Sequence, residues 1–337
     1  MPPEPIDPIF ALFIGTLASA SLAMWFVILY RSVRRPILAY EPRRPVPWNF
    51  VAPLLILLLV LLRITSVASG QEPPPPDELA GPLEMSHQIL SVAALQVAIF
   101  GTLLAATVAL SGATQRDCGL PEFADEFGRD VKIGVVTWLA ALLPVYTVQG
   151  LLATTVGEES SHPLIKMVER DPSGPLLFVA FISAVMVAPI CEECAFRLLL
   201  QGWLEKLEER WLAWRMPVST DDSTAVPPEF EVSMPAPPPV SSAAELTSPP
   251  LVIEPPRRGL AGLPFGWAPI LVGSLLFSLA HLGHGPDPVA LFVLALMLGY
   301  VYQRTHRIVP CIVTHMLFNL TTLVILAFAA ARGALPE

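Results

Sequence analysis

The chain has 337 residues, of which 53% are hydrophobic and only 15% are charged, and its formal net charge is −9. Soluble domains carry about 25% charged residues, so this composition, with a mean hydropathy of +0.60, indicates a helical membrane protein and excludes an ordinary soluble one. The negative net charge argues against a nucleic-acid partner, and four cysteines with no paired spacing across loops do not indicate a disulfide scaffold.

Long apolar runs recur along the chain, and about 20 apolar residues are enough to cross a bilayer as a helix. We therefore predict an all-α fold, a polytopic membrane bundle of about eight transmembrane helices. The sixth and seventh runs are short and close together, so they could form a broken or tilted pair. The first run is expected to be retained, because no small-residue cleavage site follows it. The predicted spans are residues 8–30, 49–69, 89–111, 133–153, 175–201, 266–282, 287–303 and 308–331.

Most Lys and Arg residues lie in loops that share one side of the membrane if the N-terminus is outside. Because basic loops face the cytoplasm, we predict that both termini are outside. The expected location is a bacterial inner (cytoplasmic) membrane, with membrane lipids as partners.

The predicted spans divide the chain into four regions. Residues 1–130 contain the first three spans, and residues 131–203 contain spans four and five. Residues 204–265 begin with a Trp-rich helix that we expect at the membrane interface, followed at 217–264 by a Pro-rich cytoplasmic insert that we expect to be disordered. Residues 266–337 contain the C-terminal spans.

Span five contains two adjacent glutamates and an arginine, and charges at this depth cost a few kcal/mol each. Glu193 and Arg197 are four residues apart, so they can pair along one helical face. Glu192 points about 100° away from Glu193 and can project into a cavity while that pair neutralises itself. Pro189 is expected to bend the helix beside them. The simpler alternative is an ion pair that only holds helices together.

Two cysteines, Cys191 and Cys194, flank the glutamates in a Cys-x-x-Cys pattern. Redox-active motifs of this kind need an exposed, electropositive setting. In the middle of an apolar span we expect both cysteines to be packing residues.

Two later spans add further polar residues. Phe277 and His281 are four residues apart at the end of span six, so the two rings can pack together, and His315 and Asn319 share one face of span eight. Taken alone, His281 could be an interfacial residue and the second pair an interhelical hydrogen-bonding pair. His284 could form a metal pair with His281, although its turn sequence favours an ordinary loop histidine.

The patterns Glu-Glu-x-x-x-Arg, Phe-x-x-x-His and His-x-x-x-Asn occur in this order at 192–197, 277–281 and 315–319. This ordered set resembles the CPBP family of intramembrane proteases, which includes the type II CAAX prenyl endopeptidases and the bacteriocin-processing (Abi) proteins. The resemblance covers roughly residues 130–331. It implies a peptidase with a conical catalytic cavity, expected to open to the cytoplasm, and a peptide or protein substrate, with lipidated proteins as one option.

The resemblance also implies individual roles. Glu192 and His281 would activate a water molecule, and His315 and Asn319 would bind the oxyanion. A buried carboxylate base and preorganised donors are what peptide hydrolysis without a covalent nucleophile requires.

Glu193 and Arg197 would then be orienting or structural residues. In the competing version of the same protease, Glu192, His281 and His315 would hold a Zn²⁺ ion with water in its open position. No His-Glu-x-x-His motif is present, and we favour the glutamate–histidine mechanism, which requires no cofactor.

The same residue types also fit functions of other classes. One is a non-proteolytic membrane immunity or scaffold protein, and another is a transporter with a Glu–His proton relay.

Straight spans also create a conflict within the predicted site, because they put His281 at the far end of span six, away from Glu192 and His315. Span six must therefore be tilted or short if the three residues are to meet.

Overall fold

A computed structural model describes residues 7–70, 81–156, 166–168, 173–215, 258–283, 285 and 287–330. Apart from loops, turns and a 3₁₀ turn at Leu260–Gly262, these residues are helical. The long helices are α1 (Pro8–Ser32), α2 (Val51–Ala68), α3 (Pro82–Ser111), α4 (Ala124–Val156), α5 (Gly174–Arg215), α6 (Trp267–Ala280), α7 (Asp287–Thr305) and α8 (Ile308–Ala330).

Among the described helices, seven are long and apolar enough to cross a membrane, which confirms the predicted polytopic bundle. The exception is α6, which has only 14 residues. At 1.5 Å per residue it is about 21 Å long, whereas a bilayer core is about 30 Å thick. The described residues thus contain seven long spans and one short apolar helix, and the short helix lies at the sixth predicted run, which the sequence already indicated to be short.

Helix α5 is continuous over 42 residues and carries the two glutamates near its middle. It contains two π-helical segments, Phe181–Val187 and Cys194–Gln201. Pro189 lies between them, where it cannot donate a backbone hydrogen bond. The glutamates thus lie in a short α-helical stretch, Ala188–Glu193, between two wider turns.

The start of α6 is held against α5 by a buried carboxylate. Glu208 accepts hydrogen bonds from the backbone N–H groups of Leu260 (2.9 Å) and Gly266 (2.8 Å). From this point α6 runs antiparallel to α5, and the stretches from Gly266 to His281 and from Glu208 to Glu192 each measure about 22–24 Å. The short helix α6 therefore ends at the depth of Glu192.

Part of the predicted insert is ordered. Residues 216–257 lie outside the described residues, but residues 258–264 are described and contact α5 through Glu208. The helix predicted after span five is present as the last part of α5, where the Arg215 guanidinium lies 4.7 Å from the centre of the Trp211 ring. Its location at the membrane interface stays a prediction. Residues 258–264 were predicted to be disordered, but backbone hydrogen bonds to the buried carboxylate of Glu208 hold this segment in place.

Close packing of α4 against α8 positions the last helix. Gly134 permits this approach, since a Cβ at that position would lie 2.7 Å from the Cβ of Val313. The Thr314 hydroxyl donates to the Gly134 carbonyl (2.9 Å), and the Trp138 indole donates to the Thr321 hydroxyl (3.1 Å). These contacts on either side of His315 fix its helix relative to α4.

The segment between α1 and α2 also packs against α5. Lys206 donates from Nζ to the carbonyls of Val46 (2.8 Å) and Trp48 (2.7 Å). The Trp48 indole donates to the Leu199 carbonyl (3.1 Å), and both Val46 and Trp48 are buried. The segment before α2 thus covers α5 between Leu199 and Lys206.

Replacing Glu208 with alanine should lower the thermal midpoint of the detergent-solubilised protein. The change leaves two backbone N–H groups without their acceptor, at a cost of about 1–3 kcal/mol each. Circular dichroism during heating measures the effect, with Glu209→Ala as the matched control because Glu209 is only half-buried. Equal midpoints for Glu208→Ala and the wild type would contradict this anchoring role.

Candidate active site

The predicted glutamates, histidines and arginine meet in one cluster, which consists of Glu192, Glu193, Arg197, His281 and His315. Glu193 lies at its centre and is fully buried. Its Oε2 accepts a hydrogen bond from Arg197 Nε (3.1 Å), which is the ion pair that the four-residue spacing predicted. Its Oε1 accepts one from His315 Nδ1 (2.9 Å), on α8. Sequence reasoning missed this second contact, because the residues are 122 positions apart and no spacing signals it.

Phe277 forms a common wall behind both histidines. It is fully buried, and its ring centre lies 4.7 Å from that of His281 and 5.8 Å from that of His315. The Arg197 guanidinium lies 5.2 Å from the same ring centre, at cation–π distance. The predicted packing of Phe277 beside His281 is present, and its contacts with the other two residues emerge only in the folded chain.

Glu192 faces away from the ion pair, as its helical phase predicted. Its Oε2 lies 3.9 Å from His281 Nε2 and 3.8 Å from His315 Nε2. Both separations exceed the range of a direct hydrogen bond and suit a bridging water. The Glu192 side chain retains 15% of its exposure and that of His281 retains 21%, whereas Glu193 and Arg197 retain none.

The hydrogen bonds of the two Nδ1 atoms set the orientation of the histidine rings. His281 Nδ1 lies 2.8 Å from the Phe277 carbonyl oxygen, which can only accept, so Nδ1 carries the proton of this bond. His315 Nδ1 likewise donates to Glu193. Both rings therefore direct Nε2 toward Glu192.

The position of His281 resolves the conflict left by straight, full-length spans. His281 caps the C-terminal end of α6, and the 14-residue length of α6 places that end beside Glu192. Of the two alternatives stated for span six, tilted or short, the structure has the short one.

Asn319, the remaining predicted site residue, makes its hydrogen bond to α5 and not to the glutamates or histidines. Its Nδ2 donates to the Ala184 carbonyl in the first π-helical segment of α5 (2.8 Å). It lies one turn beyond His315 on α8. A second amide hydrogen is available to it.

The described residues contain no group of three His, Cys, Asp or Glu side chains arranged to hold a metal ion. Glu192, His281 and His315 are the residues considered for zinc, and their 3.8 and 3.9 Å separations exceed the roughly 3.4 Å between neighbouring ligands of a tetrahedral zinc ion with bonds of about 2.0–2.2 Å. The arrangement therefore does not fit the zinc alternative. His284 lies outside the described residues.

The four cysteines are free, with Cys191 buried and Cys194 partly buried. This arrangement agrees with the packing role that their position in span five predicted.

Comparison with known proteins gives one family match. Residues 257–321 match the family model described as Type II CAAX prenyl endopeptidase Rce1-like, which confirms the resemblance that the three motifs indicated. The matched region includes His281, His315 and Asn319 and ends before the C-terminal part of α8. No curated protein and no solved structure matched the chain.

Replacing Arg197 with methionine should strongly destabilise the protein. The change leaves the Glu193 carboxylate buried without its cation, which costs about 3–5 kcal/mol. The double variant Glu193→Gln/Arg197→Met should recover much of this loss, since glutamine is neutral and can still accept from His315. Denaturant titrations of the two variants measure the difference in unfolding free energy, and equal values would refute this account of the pair.

Proposed function

We propose that this chain, whose C-terminal helices match the type II CAAX prenyl endopeptidase family, is an intramembrane endopeptidase that hydrolyses peptide bonds near the membrane surface. The observation that carries the proposal is the Glu192 carboxylate, which faces Nε2 of both His281 and His315 at 3.8–3.9 Å. A water molecule between these three atoms lies within reach of a base and of two ring nitrogens.

Charge balance supports a definite protonation pattern. Glu192 and Glu193 bring two negative charges into an apolar surrounding, and Arg197 compensates one of them. Net charge in such a medium is costly. We therefore assign both ring protons to His315, whose Nδ1 is held by the Glu193 carboxylate, and keep His281 neutral, which makes the cluster neutral overall.

With these assignments every hydrogen bond of the reacting water has a partner. The water donates its two protons toward Glu192 Oε2 and His281 Nε2 and, before substrate binds, accepts from the Nε2–H of His315. The substrate carbonyl oxygen then takes over this N–H, which frees a lone pair of the water for attack. Attack on the substrate carbonyl carbon transfers one water proton to Glu192, which acts as the general base. The new C–O bond moves the carbonyl electrons onto oxygen, where His315 Nε2–H stabilises the oxyanion.

Breakdown of the tetrahedral intermediate completes the reaction. Glu192 returns its proton to the departing amine nitrogen as the C–N bond breaks, so the products are a carboxylic acid and an amine. Asn319 is proposed as a second oxyanion donor through its remaining amide hydrogen, with its side chain oriented by the Ala184 carbonyl.

The substrate class follows from the surroundings of the site. The family description supports a peptide or protein substrate, and the apolar helices around the cluster suit a segment that reaches the site from the lipid phase, including a lipidated one. We keep the proposed cytoplasmic opening, because the loops at the end of the bundle that carries Arg43, Lys206 and Arg307 are rich in basic residues.

Glu192→Gln should abolish peptide cleavage while leaving insertion and folding unchanged. Glutamine keeps the shape of the side chain but cannot accept the water proton. Cleavage of a labelled peptide or lipopeptide library by purified protein in lipid nanodiscs measures the loss, with Glu84→Gln, at the start of α3, as the control for expression and handling. Wild-type cleavage by Glu192→Gln would remove the base assignment and favour a non-proteolytic role.

Removing metal ions distinguishes the metal-independent mechanism from the zinc-dependent one. Because the described side chains do not form a metal site, activity should persist at full rate after extensive chelation and buffer exchange. The cleavage assay with and without chelator measures this directly. Loss of activity that zinc alone restores would overturn the metal-independent mechanism.

A further inference from the structure

A line of buried polar side chains extends from the proposed active site along α5. Glu193, Arg197, Gln201 and Glu205 follow one another at intervals of four residues, and none is more than 3% exposed. In an α-helix each such step would rotate the side chain by about 40°. The π-helical segment Cys194–Gln201 has wider turns, with hydrogen bonds to the fifth residue, so it rotates less per residue and counteracts this drift.

The far half of this line is well paired. Gln201 Nε2 donates to Glu205 Oε1 (3.0 Å) and to the Gly299 carbonyl (2.9 Å). Glu205 Oε2 accepts from Arg43 Nη2 (2.8 Å), and Arg43 Nη1 donates to the Tyr302 hydroxyl (2.7 Å). Gln201 is thus tied to α7 and to the loop between α1 and α2.

The near half contains complementary groups that lack partners among the described residues. These buried atoms are Nη1 and Nη2 of Arg197, Oε1 of Gln201 and the hydroxyl of Ser274. Because both Gln201 amide hydrogens go to oxygen acceptors, the orientation of its amide is determined and Oε1 is its free acceptor. Donors on Arg197 and an acceptor on Gln201 therefore lie one turn apart on the same polar line.

Ser274 faces the same region from α6. It lies three residues before Phe277, whose ring contacts the Arg197 guanidinium, so both residues share one face of α6. The neighbouring Gly273 lies beside Gln201, since a Cβ there would be in ordinary van der Waals contact with Gln201 Oε1, at 3.9 Å. These two contacts put Ser274 of α6 beside the part of α5 between Arg197 and Gln201.

We propose that Arg197, Gln201 and Ser274 form a buried water-binding site, and that Gln201 is a positioning residue for the active site. Buried polar groups of this kind are commonly joined by water with two to four partners. An anion is the poorer occupant, because Glu193 already balances the charge of Arg197. Through the bound water, Gln201 orients the guanidinium, the guanidinium orients Glu193, and Glu193 orients His315.

The activity test rests on the proposed protease function. Gln201→Leu should lower kcat about tenfold, because small displacements of catalytic groups have large effects on rate, while KM stays within about twofold. The matched control is Gln303→Leu, since Gln303 is 3% exposed and also has an unpartnered Nε2 among the described residues, but lies on α7 against Gly266. Unchanged kcat in Gln201→Leu, or an equal loss in both variants, would overturn the proposal.

Ser274 provides a second and milder variant should Gln201→Leu fail to fold. Ser274→Ala should lower kcat severalfold, and Ser274→Thr, which keeps the hydroxyl, should restore most of it. Ser274→Cys, which fills the same space with a much weaker hydrogen-bonding group, should not restore kcat. Recovery by cysteine equal to that by threonine would show that the hydroxyl merely fills space. Equal kcat values for the alanine variant and the wild type would count against the water site.

A measurement without substrate keeps this test separate from that of the protease function. With ¹⁵N-labelled histidine, the Nδ1–H signal of His315 can be assigned by its loss in His315→Asn. Gln201→Leu should shift or broaden this signal, and Gln303→Leu should leave it unchanged. An unaffected His315 signal in Gln201→Leu overturns the positioning role even if the protein is an active protease, whereas a shifted signal in a protein without peptidase activity supports the positioning role and refutes only the protease function.

Discussion

The buried carboxylate of Glu193 is the interaction on which the proposed site depends. It holds Arg197 within α5 and His315 on α8, so two helices that are distant in sequence meet at one side chain. In an apolar medium neither a lone carboxylate nor a lone guanidinium is tolerable, and this requirement fixes their partners. Glu192, one residue earlier and on another face, is left to face Nε2 of both histidines.

The length of α6 is the second constraint. A helix that crossed the whole bilayer would carry His281 beyond the glutamates, whereas 14 residues anchored at Glu208 end beside Glu192. The hydrogen bonds to Glu208 and the length of α6 therefore together set the depth of His281 Nε2. The same anchor orders residues 258–264, so the return of the chain from the insert is part of the arrangement that positions the site.

A line of buried polar residues runs along α5 through the apolar bundle. The line from Glu193 to Glu205 stays buried because π-helical turns keep residues four apart in register, and because α6, α7 and the loop before α2 cover it. This arrangement gives the proposed active site a polar support that extends well beyond the residues facing the substrate. It also explains why an arginine and a glutamine can lie in the core of a membrane protein.

The sequence by itself determined the local features. Hydropathy located eight apolar runs, four-residue spacing predicted the Glu193–Arg197 pair, and helical phase separated Glu192 from Glu193. The last two depend only on the geometry of one helix. The three motifs were enough to indicate the family. Only the tertiary structure decided that His315 bonds to Glu193, that His281 lies at the depth of Glu192, and that Gln201 is linked to Arg43. Such contacts depend on helix lengths, tilts and anchors across distant parts of the chain, and no periodicity in the sequence encodes them.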